Sequence, residues 1–307
     1  VLFIHAGDEG ATYRSLFARE LPGLRCVAWP DPVIAADVAF VACWNPPADF
    51  FAPLTSLRAV FALGAGVDRL LARTDLAPHV PIVRLLDAGM AEQMAEYALL
   101  GVLMRQRHAI DYRVQQGRGE WRRHPPVARA DLRVGVLGIG EMGGAVARTL
   151  ADLGYVVQAW ARAPRTMAGI SVRHGDEGLR SVLATSDVLV NTLPSTPATR
   201  GLLDYARLSR LPRGAFVVNA SRGDQLDADA LRTLLDADHL GGALLDVFTT
   251  EPLPPDDPFW RHPRVVITPH VAATTLPEPS VRQIADNIRR MHAGDAPTGV
   301  VDRGRGY

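Results

Sequence analysis

Val134-Gly-Val-Leu-Gly138-Ile-Gly140-Glu-Met-Gly143-Gly-Ala-Val146 is the stretch whose reading decides the fold. An apolar run enters it, and Gly138, Gly140 and Gly143 follow in G-x-G-x-x-G spacing. A helical pattern leaves it. Strand, glycine turn and helix in that order are the context in which such glycines bind a dinucleotide. The first glycine permits the tight turn. The second lets a pyrophosphate approach the backbone, and the third lets helix and strand pack closely. Free amides at the helix start, together with its dipole, attract the phosphates. Glu141 and Met142 belong to the same candidate cofactor site.

The next apolar run ends Gln158-Ala-Trp160-Ala161-Arg162-Ala-Pro-Arg165. An NAD-preferring turn carries an acid about 20 residues beyond the glycines, bonded to the ribose hydroxyls. Here Ala161 and Arg162 stand in its place, with Arg165 close behind. A carboxylate repels a 2′-phosphate, whereas a guanidinium grips it with two hydrogen bonds. NADP(H) is therefore the expected cofactor.

Working outward, short apolar runs alternate with longer amphipathic ones, the rhythm of a parallel sheet covered on both faces. Candidate strands are 1–5, 25–28, 38–43, 58–63 and 82–85, then 132–137, 156–160, 188–191, 215–219, 243–247 and 265–268. Helices are expected at 11–20, 90–107 and 280–292. The fold class is α/β, with two doubly wound parallel-sheet domains. Residues 115–131 are rich in Arg, Gly, Pro and His around Trp121, and read as an exposed loop joining two units. A plain linker and an arm that packs on another subunit both fit that stretch, since an exposed Trp often anchors an interface. The Gly-, Asp- and Arg-rich tail 294–307 is expected to pack on a surface.

Composition narrows the function. The 307 residues suffice for about two domains. The 33 basic and 33 acidic residues cancel, so no nucleic-acid or anionic-membrane footprint is visible. Every basic residue is Arg. The lack of Lys excludes Schiff-base chemistry and a P-loop lysine. Cys26 and Cys43 cannot build a disulfide framework or a four-thiolate zinc site, and read as inert core thiols. No HExxH occurs and no two His stand at metal spacing, so no metal is expected. No apolar run reaches the ~18 residues of a membrane span. Residues 1–7 read as a strand and turn rather than a leader, and a cytoplasmic location is expected.

Ligands of open parallel sheets bind beyond the carboxyl ends of the strands. Three ionisable residues lie just there: Arg222 in Val218-Asn-Ala-Ser-Arg222-Gly223, Glu251 in Asp246-Val-Phe-Thr-Thr-Glu251-Pro252, and His270 in Ile267-Thr-Pro-His270. Hydride arriving at a carbonyl carbon leaves negative charge on oxygen, which a protonated His neutralises. A carboxylate beside it raises the His pKa and fixes the ring. An Arg orients a substrate carboxylate and polarises the ketone.

At these residues the sequence resembles the D-isomer-specific 2-hydroxyacid dehydrogenases, and within them the NADPH-dependent glyoxylate/hydroxypyruvate reductase branch. Further motifs carry the likeness: Leu63-Gly-Ala-Gly-Val-Asp68, Gly89-Met-Ala-Glu-Gln-Met-Ala-Glu-Tyr97, Asn191-Thr-Leu-Pro-Ser-Thr-Pro-Ala-Thr199 and Val301-Asp-Arg-Gly-Arg-Gly-Tyr307. The resemblance implies His270 as acid/base, Glu251 as its partner and Arg222 as the substrate-binding arginine. It implies that Leu193, Pro194, Thr199 and Ala220 line the cofactor cleft and that Asp246 faces the nicotinamide amide. Backbone N–H groups of Gly64, Ala65 and Gly66 would hold the substrate carboxylate, as glycine turns after strands form anion nests. A tight turn chosen only for positive φ is the alternative for that loop. Trp44, in Cys43-Trp-Asn-Pro-Pro47, matches a tryptophan near the substrate in this branch, or is a packing residue.

The same likeness implies a substrate or lid domain of residues 1–95 plus 273–307, closing over an NADP-binding domain of residues 96–272. It implies a homodimer, which favours the arm reading of 115–131. Reduction of a small 2-oxo acid to the 2-hydroxy acid is the expected reaction. An NAD-linked dehydrogenase of larger hydroxy acids and a dinucleotide-sensing binding protein are the alternatives. With no regulatory domain after Tyr307, an allosteric serine-biosynthesis dehydrogenase is not expected.

Overall fold

The computed structural model describes residues 1–306, so Tyr307 and its place in the last motif lie outside the described residues. The chain divides into two compact units, residues 1–89 with 275–306 and residues 90–274. Both carry all-parallel sheets, the expected α/β architecture.

The first unit contains β1 (Leu2–His5), β2 (Cys26–Ala28), β3 (Phe40–Cys43), β4 (Ala59–Ala62) and β5 (Ile82–Val83), in the order β2-β1-β3-β4-β5. That is the flavodoxin-like order. Its helices are α1 (Gly10–Glu20), the single turn α2 (Asp68–Leu71) and the C-terminal helix Pro277–His292. β3 and β4 are buried throughout, as strands covered on both faces must be. Phe3, Val41, Val60 and Ile82 pack one face with Phe50, Phe51 and Val301. The tail does not merely lie on the surface: Val300 bridges antiparallel to Val83, and the Val301 N–H donates to the Ile82 carbonyl (2.9 Å).

The second unit has seven strands: β6 (Arg133–Leu137), β7 (Val156–Ala161), β8 (Ser171–His174), β9 (Val188–Asn191), β10 (Ala215–Asn219), β11 (Leu240–Leu245) and β12 (Val265–Ile267). Their order, β12-β11-β10-β9-β6-β7-β8, reverses between β6 and β9. This is the doubly wound dinucleotide-binding order with its switch point at that pair. The helices are α3 (Met90–Gln106), α4 (Ala109–Gly117), α5 (Glu141–Asp152), α6 (Gly175–Thr185), the single turn α7 (Tyr205–Leu208) and α8 (Ala228–Asp236).

Period-two alternation splits the core into two faces. Val134, Val136, Val188, Val190, Phe216 and Val218 face α3 and α5. Leu137, Leu189, Val217, Ala243 and Leu245 face α6 and α8. Each Val, Leu or Phe side chain buried this way contributes about 1.5–3 kcal/mol before the entropy of ordering is counted. Among the described residues no helix is long and apolar enough to cross a membrane.

Two expectations need correction, and one strand adds to them. Residues 115–131 do not join two units. Both ends lie inside the second unit, and α4 runs on to Gly117 because Ala109–Gly117 forms an amphipathic turn pattern with Ile110 and Gln115 buried. The strand expected at 243–247 is Leu240–Leu245, so Asp246 is the first residue beyond the sheet. β8 was not foreseen, because Ser171–His174 is an edge strand with little buried side-chain surface to mark it.

Candidate active site

The glycine turn follows β6 as its spacing requires. Gly138 has φ +90°, and its N–H donates to the Trp160 carbonyl at the end of β7 (2.8 Å). Gly140 is the residue before α5, and a Cβ there would meet nothing within 4 Å. At Gly143 a Cβ would overlap the Gly138 carbonyl. One glycine turns the chain, one leaves room on the open side, and one lets helix and strand close up. An open concavity before a helix N-terminus fits a pyrophosphate. Glu141 and Met142 are the first residues of α5, the former exposed and the latter half-buried. Ala161 ends β7 buried, while Arg162 and Arg165 are exposed just past it. No acid occupies that rim position.

On the far side of the switch point, a buried amide network shapes the loop after β9. Asn191 Nδ2 donates to Asn219 Oδ1 (3.0 Å) and Gln225 Oε1 (2.6 Å). Gln225 Nε2 donates to the Leu193 and Pro194 carbonyls (3.0 and 2.9 Å). Asn219 Nδ2 donates to the Arg222 carbonyl (3.2 Å). The Ser221 hydroxyl also donates to the Leu193 carbonyl. Leu193 is buried and Pro194 exposed. Thr199 is turned inward: its hydroxyl donates to the Pro194 carbonyl (2.7 Å) and accepts from the Thr196 N–H (2.8 Å). Ala220 is buried beside Ser221. Sequence reading missed Asn191, Asn219, Ser221 and Gln225. Asn191 and Asn219 end strands, and Ser221 and Gln225 lie in the loop that follows, where the sequence carries no mark of burial.

β10, β11 and β12 are adjacent and parallel, so Arg222, Glu251 and His270 leave the sheet at one rim. His270 Nδ1 lies 2.9 Å from Glu251 Oε2, and the other carboxylate oxygen accepts from the Phe248 N–H (2.9 Å). Arg222 Nη1 donates to the Ser221 carbonyl (2.8 Å), and its charge reaches Glu251. Gly223 explains how the Arg222 and Glu251 loops touch. A Cβ there would overlap the Phe248 carbonyl carbon.

His270 itself sits at φ +56°. Left-handed backbone costs a non-glycine residue about 1–2 kcal/mol, so its surroundings must hold it. Asp246 does much of this. It is 1% exposed, and its carboxylate accepts from the Thr268 hydroxyl (2.6 Å), the Val271 N–H (2.8 Å) and the Ala272 N–H (2.8 Å). Its backbone carbonyl accepts from the His270 N–H (2.9 Å). The residue expected to face a nicotinamide amide is therefore also the organiser of the histidine turn.

In the first unit, Trp44 and Gly64 are brought together. A Cβ at Gly64 would overlap the six-membered ring of Trp44. Neither Gly64 nor Gly66 has positive φ, so the turn is not chosen for that conformation. Trp44 is 56% exposed, lying against Gly64 rather than in a core.

Burial pushes the Cys43 thiol up to about 12 and Cys26 up to about 11, which makes both poor nucleophiles. Sequence spacing did not reveal one cluster, His108, Asp111 and His124, whose donor atoms lie within 4.8 Å. The two imidazoles stack, with centroids 4.9 Å apart and planes 18° apart. In-plane lone pairs of parallel rings do not converge on one ion, and Arg264 Nη1 sits 3.3 Å from Asp111 Oδ1. The cluster lines a pocket of about 380 Å³ with Gly214, Phe216 and Leu240, at the amino ends of β10 and β11. That is the rim opposite the histidine and arginine.

Comparison with known proteins gives the family. Residues 97–272 match the family model described as D-isomer specific 2-hydroxyacid dehydrogenase, NAD binding domain. The chain is 40% identical to a glyoxylate/hydroxypyruvate reductase A from Photorhabdus laumondii over 313 residues, covering 100% of this chain and 99% of the relative. A D-isomer specific 2-hydroxyacid dehydrogenase from Xanthobacter autotrophicus Py2, solved with NADPH and MES, superposes with TM-score 0.95 at 40% identity, covering 100% and 99% of the two chains. An NADPH-dependent glyoxylate/hydroxypyruvate reductase from Sinorhizobium meliloti, solved with NADP and sulfate, gives 0.92 at 32% identity, again covering 100% and 99%.

Burial raises the Glu251 pKa, but hydrogen bonds from His270 and the Phe248 N–H, with the charges of His270 and Arg222, outweigh it and hold the carboxyl below the usual range. A carboxylate depressed in the fold stabilises above its unfolded pKa, and that contribution is lost as pH falls through the folded value. The stability gap between wild type and Glu251→Gln is therefore expected to be full above about pH 5 and to narrow at lower pH. Urea titrations from pH 6 to 3 measure it; a gap that widens on acidification contradicts the pairing.

Proposed function

The chain belongs to the D-isomer-specific 2-hydroxyacid dehydrogenases, and from that premise we propose that it reduces a small 2-oxo acid, glyoxylate or hydroxypyruvate, to the 2-hydroxy acid with NADPH. The observation that carries this reading is the Glu251–His270 pair at 2.9 Å, on the rim it shares with Arg222. The two reductase relatives support the substrate class, and the two structures solved with NADPH or NADP support the cofactor.

The glycine turn of 138–143, with Glu141 and Met142, would cradle the pyrophosphate, and Leu193, Pro194, Thr199, Ala220 and Asp246 would line the rest. Arg162 and Arg165 would take the 2′-phosphate. When bound, NADPH supplies the hydride. Arg222 orients the substrate carboxylate and polarises the ketone. Glu251 fixes Nδ1 of His270, which leaves Nε2 to give the proton to the developing alkoxide. The reverse reaction needs neutral His270 as base. We assign Trp44 and the 64–66 loop to substrate binding, the first unit to the substrate domain and the second to the NADP-binding domain. A cytoplasmic location goes with this reading, since reduced nicotinamide cofactors are kept there.

His270→Gln is expected to slow reduction by ~100-fold or more while NADPH still binds. Stopped-flow absorbance with glyoxylate and hydroxypyruvate reads the rate, and the fluorescence of bound NADPH reads the binding; near-normal turnover in the variant would remove His270 from the chemistry.

Replacing Arg162 with Asp should shift preference from NADPH toward NADH by about 10-fold or more, the scale of one charge-assisted contact. An unchanged ratio of kcat/KM for the two cofactors would show that another group reads the phosphate.

The reading includes a homodimer joined through the 115–131 arm, where Trp121 is 97% exposed. Sedimentation equilibrium is expected to give twice the 33.2 kDa chain mass, and Trp121→Glu to weaken association. A wild-type chain that sediments as a monomer at micromolar concentration rules the dimer out.

A further inference from the structure

We propose that Tyr97 and Thr268 are positioning residues for the acid–base histidine, forming a hydroxyl chain through Asp246 that fixes the turn carrying His270. The proposal rests on reading His270 as the proton donor. Tyr97 comes from α3, Thr268 is the first residue past β12, and Asp246 is the first past β11. All three belong to the second unit.

The direction of the chain follows from counting protons. An Asp carboxylate only accepts. Thr268 has one hydroxyl proton, and it goes to Asp246 Oδ1 at 2.6 Å. The 2.6 Å contact between Tyr97 Oη and Thr268 Oγ1 is then donated by Tyr97. Burial, with the charge of Asp246 behind it, pushes the Tyr97 hydroxyl up, and this outweighs the opposing hydrogen bond with Thr268. Tyr97 therefore stays a donor throughout the working pH range.

The far end of the chain reaches the histidine. Asp246 binds the Val271 and Ala272 N–H groups with its carboxylate and the His270 N–H with its carbonyl. His270 is thus bracketed on both sides by one aspartate. The left-handed φ of His270 has to be imposed from outside, since an unrestrained histidine relaxes toward negative φ. Tyr97 is 8% exposed and Asp246 1%, with Thr268 half-buried between them. Linked buried hydrogen bonds polarise one another, and losing one member loosens the rest. Misplacing a catalytic group by about 1 Å can cost about 100-fold.

The experiment compares wild type with Tyr97→Phe, Thr268→Val, Thr268→Ser and the Tyr97→Phe/Thr268→Val double variant. Thr268→Val is expected to lower kcat by about 10-fold with the KM for NADPH within about 2-fold. Thr268→Ser, which keeps the hydroxyl, should return kcat to within about 3-fold of wild type. Tyr97→Phe should lower kcat by about 3-fold or more, and the double variant should be no slower than Thr268→Val alone, because the links act in series. Losses that multiply in the double variant, or a fall in Tm with unchanged kcat, overturn the proposal.

A second readout does not depend on turnover. The 15N imidazole signals of His270, assigned by their loss in His270→Gln, should move in Tyr97→Phe and Thr268→Val and return in Thr268→Ser. Signals that stay in place refute the chain. A wild-type protein that reduces no 2-oxo acid sinks the functional reading instead, and the imidazole signals still decide whether the chain positions the ring.

Discussion

Between β10, β11 and β12 every backbone hydrogen bond runs in a parallel ladder, so the three segments leave the sheet in the same direction. The constraint is directional. Antiparallel pairing would send alternate loops to opposite edges and part the arginine from the histidine. Register then sets reach. Asn219 pairs with Leu245, and Leu245 with Ile267, which ends the three strands at one level. From there the loops need only a few residues to bring a carboxylate to an imidazole.

What the ladder brings near, buried polar groups hold in place. Two arrangements do this work. The amides of Asn191, Asn219 and Gln225 tie the loop after β9 to the backbone of Arg222. The Asp246 carboxylate gathers the turn around His270. Asn191, Asn219 and Gln225 in the one and Asp246 in the other are buried and fully hydrogen-bonded, the condition under which buried polarity rigidifies rather than destabilises. The charged groups that face the rim are left to chemistry, while groups behind them carry the geometry.

Much of the fold was legible because its signals are local. Apolar runs of strand length, a glycine turn between strand and helix, and polar residues just past strands required no knowledge of what they would touch. Arg222, Glu251 and His270 could be picked out by position alone. Asn191, Asn219 and Gln225 could not, since an amide at a strand end or in a loop looks the same whether it meets water or another amide. The stacking of His108 on His124 was equally hidden, because it depends on how residues 118–128 return to α4. Ser171–His174 escaped notice for a different reason: an edge strand with exposed side chains lacks the apolar mark of the central ones. The glycine at 64 was ambiguous in sequence, and that at 223 carried no reading of its own. Contact with Trp44 and with the Phe248 backbone, not unusual φ, is what each position demands.

The indole lying on Gly64 ties two distant positions into one volume. A methyl group at 64 and a six-membered ring from 44 cannot occupy the same space. Among relatives the two sites should therefore vary in opposite senses, a bulky ring beside a bare backbone or a smaller group beside a substituted one. The two positions share one fixed volume, so a larger residue at 64 calls for a smaller one at 44.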